Sequence, residues 1–283
     1  MKLGDSAYHA LWQLLAYTRE QTPVVHCITN YVTVNDVANM ILACGGSPIM
    51  ADDEAEAAAI TSLSTALLIN IGTLNTRTIA SMIKAGKKAN ALGHPVILDP
   101  VGAGASPLRT QSVMRLIEQV RFTVIKGNIS EIKCIAGVAF TAQGVDAAPS
   151  DADDMSHLPQ TLDFIKAFSR KSGALIAVTG KVDLLTDGCQ TALVRNGTAM
   201  MSKITGAGCM LGGVIGALCG ANPAHPFDAA LAGIAAHGLC GETAYRRVQA
   251  AGGGTSSFRT AFIDAMSLLE EKTWKEGARI ETL

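Results

Sequence analysis

Residues 95–126 read PVILDPVGAGASPLRTQSVMRLIEQVRFTVIK, and this stretch decides the fold class of the chain. Its two ends, 95–98 and 122–126, are nearly continuous apolar runs, which is typical of strands buried on both faces of a sheet. Residues 108–120 lie between them and have helical periodicity. A strand, a helix and a second strand in this order predict a crossover unit with parallel strands.

The same alternation continues on both sides of this unit. Further apolar runs predict strands at 24–28, 67–71 and 175–179, and a hairpin of 182–186 and 192–194 around a Gly-containing turn. Helical periodicity is found at 34–43, 76–92, 130–136, 162–171, 209–220, 226–250 and 256–274. The sequence therefore predicts an α/β fold with a mostly parallel central sheet that helices cover on both faces.

One domain spanning residues 1–283 is expected, because no internal repeat or clear change of composition divides the chain. The most polar stretch is QGVDAAPSDADDMSHLP at 143–159. Composition alone fits a linker and a surface excursion equally well, but a predicted helix and strand follow directly. We therefore interpret it as an excursion within the domain.

Composition excludes several classes of function. The chain has 23 Lys and Arg against 24 Asp and Glu, so it carries no basic field that would bind nucleic acid or an anionic membrane. Its longest apolar run, 209–221, is shorter than the ~20 residues of a membrane span. The seven cysteines form no CxxC pair, and the start lacks an apolar signal core. These features predict a cytoplasmic protein that acts on a small molecule.

The segment KITGAGCMLGG at 203–213 is the most informative for function. A glycine-rich turn that opens a helix leaves backbone N–H groups free at the positive end of the helix dipole, which favours an anion site. Cys209 is expected in the first turn, where the dipole lowers a thiol pKa. The alternative is a closely packed helix start with Cys209 as a small apolar side chain.

Two familiar phosphate-binding motifs do not fit this segment. A Walker loop, GxxxxGK[ST], is absent from the sequence. Gly206, Gly208 and Gly212 imitate a dinucleotide-binding pattern, but that pattern follows the first strand of its fold and here it comes late in the chain. A nicotinamide cofactor is therefore not favoured.

Polar residues also follow the predicted strands, where open α/β sheets bind ligands. Asp99 ends one strand, Lys126 and Glu131 follow the next, and Thr179 ends a third. Asp99 and Glu131 suit the water shell of Mg²⁺, and Lys126 suits a phosphate. For each acid the alternative is a helix cap. Together these strand ends predict a phosphate-handling edge.

Two segments near the start complete the candidate site. PVVHCITN at 23–30 and GGSPIMA at 45–51 are predicted strand–loop junctions. Met50 is either a wall against a flat apolar ligand or a core residue. The six histidines have no spacing that is typical of a zinc site.

Taken together, five segments resemble the hydroxyethylthiazole kinases, a family with the ribokinase-like fold. They are PVVHCITNYVTVNDVANMILACGGSPIMADD (23–53), ILDPVGAGAS (97–106), KGNISEI (126–132), AVTGKVDLLTDG (177–188) and ITGAGCMLGG (204–213). The resemblance covers essentially the whole chain. It implies a ribokinase-like fold without a lid domain and ATP-dependent phosphorylation of 4-methyl-5-(2-hydroxyethyl)thiazole in thiamine synthesis or salvage.

The resemblance also implies residue roles. Met50 and Gly206 match thiazole contacts, with Asn30 nearby. The residues matching ATP and Mg²⁺ contacts are Lys126, Thr179, Asp99 and Glu131. The backbone of Gly206, Ala207 and Gly208 matches an anion hole, and Cys209 stands where most ribokinase-like enzymes have an aspartate base. Members of the family are homotrimers with the thiazole site at subunit contacts, so the same assembly is expected here.

The chain departs from the family pattern at two positions. Lys126 replaces the usual arginine, which loses a planar, two-pronged contact with phosphate. Ala207 replaces the usual threonine of the Gly-Thr-Gly loop. Three other interpretations stay open: a kinase for hydroxymethylpyrimidine or a sugar, an ATP-consuming hydrate dehydratase, and a non-catalytic protein that binds a nucleotide or another ligand. The first two are expected to have an acid in place of Cys209.

Overall fold

One nine-stranded sheet runs through the parts of the chain that the computed structural model describes, residues 3–137 and 158–283. Its strand order is β2-β1-β3-β4-β5-β6-β7-β8-β9. The strands are β1 Val24–Ile28, β2 Ser47–Met50, β3 Ala66–Asn70, β4 Val96–Asp99, β5 Val124–Asn128, β6 Leu175–Thr179, β7 Asp183–Thr186, β8 Thr191–Val194 and β9 Ile280–Thr282. The first six are parallel, and β7, β8 and β9 continue the sheet antiparallel.

Helices cover both faces of this sheet. They are α1 Asp5–Gln21, α2 Val34–Cys44, α3 Ala57–Leu63, α4 Thr76–Leu92, α5 Pro107–Gln119, α6 Ile129–Ile135, α7 Leu158–Ser172, α8 Ala207–Ala221, α9 Pro226–Ala250, α10 Thr255–Ser267 and α11 Glu271–Gly277, with a short 3₁₀ helix at Ala199–Lys203. Of the predicted surface excursion at 143–159, residues 143–157 lie outside the described part of the chain.

The central parallel strands are mostly apolar because the sheet separates two cores. Successive side chains of a strand point to opposite faces. In β3, Leu68 belongs to the core beneath α1, α2 and α8 to α11, whereas Leu67 and Ile69 belong to the core beneath α3 to α7. Both faces therefore require apolar residues, which explains the continuous runs in the sequence.

The predicted α/β architecture is confirmed, and the predicted strands agree with the observed ones within two residues at each end. Five of the described elements were not predicted: helices α1 and α3, the edge strand β2, the 3₁₀ helix and the three-residue strand β9. The prediction of one helix over 256–274 is wrong, because α10 ends at Ser267 and α11 begins at Glu271. Helix 162–171 is longer than predicted, Leu158–Ser172.

Local capping explains where the helices near the strand ends begin. Ser106 caps α5, which has Pro107 in its first turn, and the Ser106 side chain accepts a hydrogen bond from the N–H of Arg109. Asn128 and Glu131 form a reciprocal capping box at the start of α6. These caps fix the loops that follow β4 and β5, where the polar residues of the candidate site lie.

Helix α8 is buried between the sheet, α2 and α9, and eleven of its fifteen residues are buried. Its glycines allow this close approach: a Cβ on Gly213 would lie 2.8 Å from Cγ1 of Ile41, and one on Gly212 3.1 Å from Cδ1 of Leu68. The start of α8 is therefore held at a fixed height above the sheet. Within the described ranges, the helices lack the combination of length and hydropathy that crossing a membrane requires.

We expect Gly213→Ala to lower the free energy of unfolding by about 1–3 kcal/mol, because the new Cβ overpacks against Ile41. Gly233→Ala in α9 is the matched control, since its Cβ would meet Cγ1 of Val214 at an ordinary 3.4 Å. That variant gains helix propensity and is expected to be neutral or slightly stabilising. Urea unfolding measures both, and equal effects of the two substitutions would contradict the packing described here.

Candidate active site

The carboxyl ends of the parallel strands bring polar side chains to one edge of the sheet. Asn70 at the end of β3 pairs in register with Asp99 at the end of β4. Farther along the same edge, Asn128 of β5 pairs with Thr179 of β6. The edge predicted from the strand ends is therefore formed, and three of its strands, β4, β5 and β6, are neighbours in the sheet.

The glycine-rich turn places the start of α8 over this edge. Gly206 has a φ of +88°, and a Cβ there would lie 2.7 Å from Cγ2 of Thr33. The helix begins at Ala207 without a side-chain cap. The first backbone N–H groups of a helix have no partner within it, so those of Ala207, Gly208 and Cys209 are available to an anion.

A buried ion pair connects this turn to the sheet. Nζ of Lys126 lies 3.0 Å from Oδ1 of Asp99, and the two side chains are 4% and 1% exposed. Nζ also donates a hydrogen bond to the carbonyl oxygen of Gly208 at 2.9 Å. Burial alone would lower the pKa of Lys126, but the Asp99 carboxylate raises it above the usual value. Lys126 is therefore a fixed positive charge beneath the turn.

Cys209 is connected to the same cluster through two asparagines. Nδ2 of Asn30 donates to Sγ of Cys209 at 3.3 Å and to Oδ1 of Asn70 at 3.1 Å. Nδ2 of Asn70 in turn donates to Oδ2 of Asp99 at 2.9 Å. The structure thus brings together Asn30, Cys209, Asp99 and Lys126, all of which are sequence-predicted site residues.

The expectation of a low thiol pKa at Cys209 is wrong. Burial and the nearby Asp99 carboxylate raise the pKa of this thiol, and the opposing charge of Lys126 does not compensate. Cys209 belongs to the first turn of α8, but it is only 9% exposed. Desolvation of a thiolate therefore outweighs the favourable end of the helix dipole, and Cys209 is a neutral thiol at pH 7.

Glu131 has the role of a helix cap in this structure. Its Oε2 accepts from the N–H of Asn128 at 2.9 Å and its Oε1 from the N–H of Gly102 at 2.8 Å. Burial, followed by the charge of Asp99, raises its pKa to about 7. Glu131 joins the loop after β4 to the start of α6. It therefore forms the helix cap that was the alternative interpretation of this acid from the sequence.

Met50 and Thr179 lie at opposite ends of the same edge. Met50 ends the outer strand β2 beside Cys27 of β1, and it is half-buried against the core beneath α1 and α2. Thr179 ends β6 and is half-buried. The nearby His26 has no metal-site geometry: its two ring nitrogens lie 2.7 Å from the carbonyl oxygen of Ala51 and 2.9 Å from Oγ1 of Thr61.

Comparison with known proteins adds the family. A sequence model described as the hydroxyethylthiazole kinase family matches residues 15–272. The chain belongs to this family. A hydroxyethylthiazole kinase of Clostridium acetobutylicum is 50% identical over 272 residues, covering 96% of this chain and 99% of that protein. A hydroxyethylthiazole kinase of Desulfovibrio desulfuricans is 48% identical over 264 residues, covering 91% and 93%.

Solved structures agree with the family and the fold. The structure of a hydroxyethylthiazole kinase protein from Pyrococcus horikoshii has a TM-score of 0.85 and 32% identity, covering 97% of this chain and 99% of that chain. A pyridoxal kinase of Staphylococcus aureus has a TM-score of 0.53 at 17% identity, covering 75% and 84%, and it supports the fold alone. The predicted ribokinase-like fold is confirmed.

Sequence analysis missed three polar residues of this family member's site. Asn70 and Thr33 contact Asn30, and Asp183 at the start of β7 accepts a hydrogen bond from Gly180. Burial raises the pKa of Asp183 to about 7, with Lys126 among the opposing charges. Asn70 ends an apolar strand, as Asp99 does, and this position is the sequence signal that could have identified it.

We expect Lys126→Met to lower the free energy of unfolding at pH 7 by about 3–5 kcal/mol, because it leaves Asp99 as a buried, uncompensated charge. Adding Asp99→Asn removes that charge and is expected to restore most of the loss. Urea unfolding of the single and double variants measures both effects. A loss below about 1 kcal/mol in the single variant would show that Asp99 does not depend on Lys126.

Proposed function

We propose that this chain transfers the γ-phosphoryl group of ATP to the hydroxyl of 4-methyl-5-(2-hydroxyethyl)thiazole. The observation that carries the proposal is one arrangement in a member of the hydroxyethylthiazole kinase family: the uncapped start of α8 lies against Lys126 and Cys209 at the carboxyl edge of the sheet. Phosphoryl transfer needs positioning and stabilisation of charge more than covalent chemistry, and these are the properties of this site.

The first step assigned to the chain is stabilisation of the charge that develops on the phosphoryl oxygens. The free N–H groups of Ala207, Gly208 and Cys209 point out of the start of α8, so an anion there accepts hydrogen bonds from groups that are already oriented. Because Gly206 fixes the turn with a positive φ, these donors need no rearrangement when the phosphate binds.

Lys126, on strand β5, stabilises the same negative charge on the phosphoryl oxygens from the side of the sheet. An ammonium group has three donors, and in this structure Asp99 and the carbonyl of Gly208 engage two of them. The third donor remains for a phosphate oxygen. The usual arginine of the family would offer a planar pair of N–H groups, so Lys126 is expected to bind nucleotide through charge more than through two-pronged geometry.

Cys209 is proposed to orient the attacking hydroxyl. Its raised pKa keeps the thiol protonated at pH 7, which makes it a weak base. In a loose transition state the bond to the attacking oxygen is barely formed, so a strong base is not needed to remove the hydroxyl proton early. The thiol therefore places the hydroxyl in line with the phosphate. As the ester bond forms and the bond to ADP breaks, the hydroxyl proton passes to an oxygen of the transferred phosphoryl group.

On the substrate side, we propose that Met50 and Gly206 contact the thiazole ring and that Asn30 lies beside it. A polarizable thioether suits a flat sulfur heterocycle. Gly206 adds no side chain that would narrow the pocket. Thr179, at the carboxyl end of β6, is proposed as a nucleotide contact.

Asp99 and Glu131 are the proposed residues for Mg²⁺, which would neutralise charge on the ATP phosphates when bound. Their donor set is two buried carboxylates, and oxygen is the ligand that Mg²⁺ prefers. Three of the four carboxylate oxygens accept hydrogen bonds from described residues, whereas Oδ1 of Asp99 accepts none of these and lies 3.0 Å from Nζ of Lys126. The residues therefore fit an ion that keeps its waters and is held mainly by the phosphates.

We further infer one domain, a cytoplasmic location and a homotrimer with the thiazole site at subunit contacts. One sheet extends through the described parts of the chain, and all seven cysteines are free. Tyr31 and Val32, directly after Asn30, are 77% and 57% exposed. Apolar side chains exposed beside a binding site support a contact with another subunit.

Product analysis tests the proposed function. The purified chain is incubated with ATP and Mg²⁺ and, in parallel, with hydroxyethylthiazole, hydroxymethylpyrimidine or ribose, and products are identified by mass spectrometry. We expect a phosphate ester of the thiazole alcohol alone. Phosphorylation of another alcohol instead would overturn the assigned pocket, and nucleotide binding without any product would favour a non-catalytic protein.

We expect Gly206→Val to lower kcat at least about a hundredfold, because the new side chain collides with Thr33 and displaces the N–H groups that stabilise the transferred phosphate. Gly93→Val is the matched control: Gly93 also has a positive φ, +72°, but a Cβ there has open space. It precedes β4 at the other edge of the sheet. The control loses stability and keeps its kcat; a wild-type rate in Gly206→Val would contradict the placement of the anion site.

A further inference from the structure

We propose that Asn70 is a positioning residue that fixes the amide of Asn30 so that it donates to Cys209, and that simultaneously orients Asp99 toward Lys126. The consequence for catalysis rests on the proposed function, whereas the hydrogen-bond relay itself does not. Asn70 is the last residue of β3, only 1% of its side chain is exposed, and it pairs in register with Asp99.

The orientation of the Asn70 amide is fixed from both ends. Its Oδ1 accepts from the backbone N–H of Gly72 at 2.8 Å, and a backbone N–H is only a donor. Its Nδ2 therefore faces the other way and donates to Oδ2 of Asp99 at 2.9 Å. An ionised carboxylate is only an acceptor, so a flipped amide would place two acceptors together at Asp99 and two donors together at Gly72.

The same reasoning fixes Asn30. Its Oδ1 accepts from the backbone N–H of Thr33 at 3.0 Å, which leaves Nδ2 for Oδ1 of Asn70 and Sγ of Cys209. Asn70 therefore receives one hydrogen of the Asn30 amide and leaves the other for the sulfur. Because Asn30 donates to the sulfur, the thiol hydrogen of Cys209 is free to point elsewhere.

The relay is closely packed against the backbone of Gly72. A Cβ on Gly72 would lie 2.8 Å from Cβ of Asn30 and 2.9 Å from Oδ1 of Asn70. Buried amides without partners are costly, so removing Asn70 leaves both Asn30 and Asp99 with unpaired groups. Asn30 then reorients toward other partners, and its donor to Cys209 is lost.

Cysteine alkylation tests the relay without any substrate. The pH profile of iodoacetamide reaction at Cys209 is followed by peptide mass spectrometry, with the exposed Cys189 as internal reference. For Asn70→Ala we expect the midpoint at Cys209 to rise by about one pH unit, the size of one lost hydrogen bond to a charged group. Asn70→Ser, which is too short to reach both partners, is a milder variant with the same expected direction.

A double-mutant cycle tests the consequence for catalysis. We expect Asn70→Ala to lower kcat about ten- to a hundredfold with little change in KM for ATP, since it misplaces groups around the attacking hydroxyl. In a Cys209→Ala background the same substitution is expected to have a much smaller effect, because the two residues act as one unit. Effects that multiply independently would reduce Asn70 to a structural residue.

Asn222→Ala is the matched control. Asn222 is another buried asparagine, with hydrogen bonds to Thr18 and Leu218, at the opposite end of α8. It is expected to lose stability and to leave both readouts unchanged. An unchanged alkylation profile in both Asn70 variants would overturn the relay. If the wild-type chain phosphorylates no alcohol, the proposed function fails, while the alkylation profile still decides whether the relay exists.

Discussion

The buried ion pair between Lys126 and Asp99 is the interaction on which the rest of the site depends. Removing two charges from water is costly, and such a pair is favourable only when its geometry is good and its other lone pairs and protons are satisfied. Here Asn70 donates a hydrogen bond to Oδ2 of the carboxylate, and the carbonyl of Gly208 accepts one from the ammonium. The pair therefore connects β4 and β5 to the glycine-rich turn, beside the hydrogen bonds that join Cys209 to β3 through Asn30 and Asn70.

This connection combines two sources of positive potential. The start of α8 contributes oriented N–H groups, and Lys126 contributes a full charge held 2.9 Å from the turn that carries them. The same arrangement disfavours the thiolate of Cys209, because burial and the Asp99 carboxylate raise the thiol pKa. In the proposed function, Cys209 therefore remains a neutral thiol at pH 7, and its contribution depends on positioning.

The architecture was predictable because it depends on patterns that are local in the sequence. Continuous apolar runs between helical segments predict a buried parallel sheet, and polar residues at the strand ends, such as Asp99 and Lys126, predict where ligands bind. The edge strand β2 was missed because it has only four residues, includes Pro48 and directly follows two glycines. The pKa of Cys209 was predicted with the wrong sign because it depends on burial and on a carboxylate from a distant segment. Asn70 was missed for a similar reason: its role appears only when Asn30 and Asp99 are seen on either side of it.

A crystal structure with a non-hydrolysable ATP analogue, Mg²⁺ and hydroxyethylthiazole tests the central claim most directly. The account predicts that the γ-phosphate accepts hydrogen bonds from the N–H groups at the start of α8 and from Lys126, with the hydroxyl of the thiazole between Cys209 and the phosphorus atom. A γ-phosphate bound away from α8, or a hydroxyl out of line with it, would contradict the account.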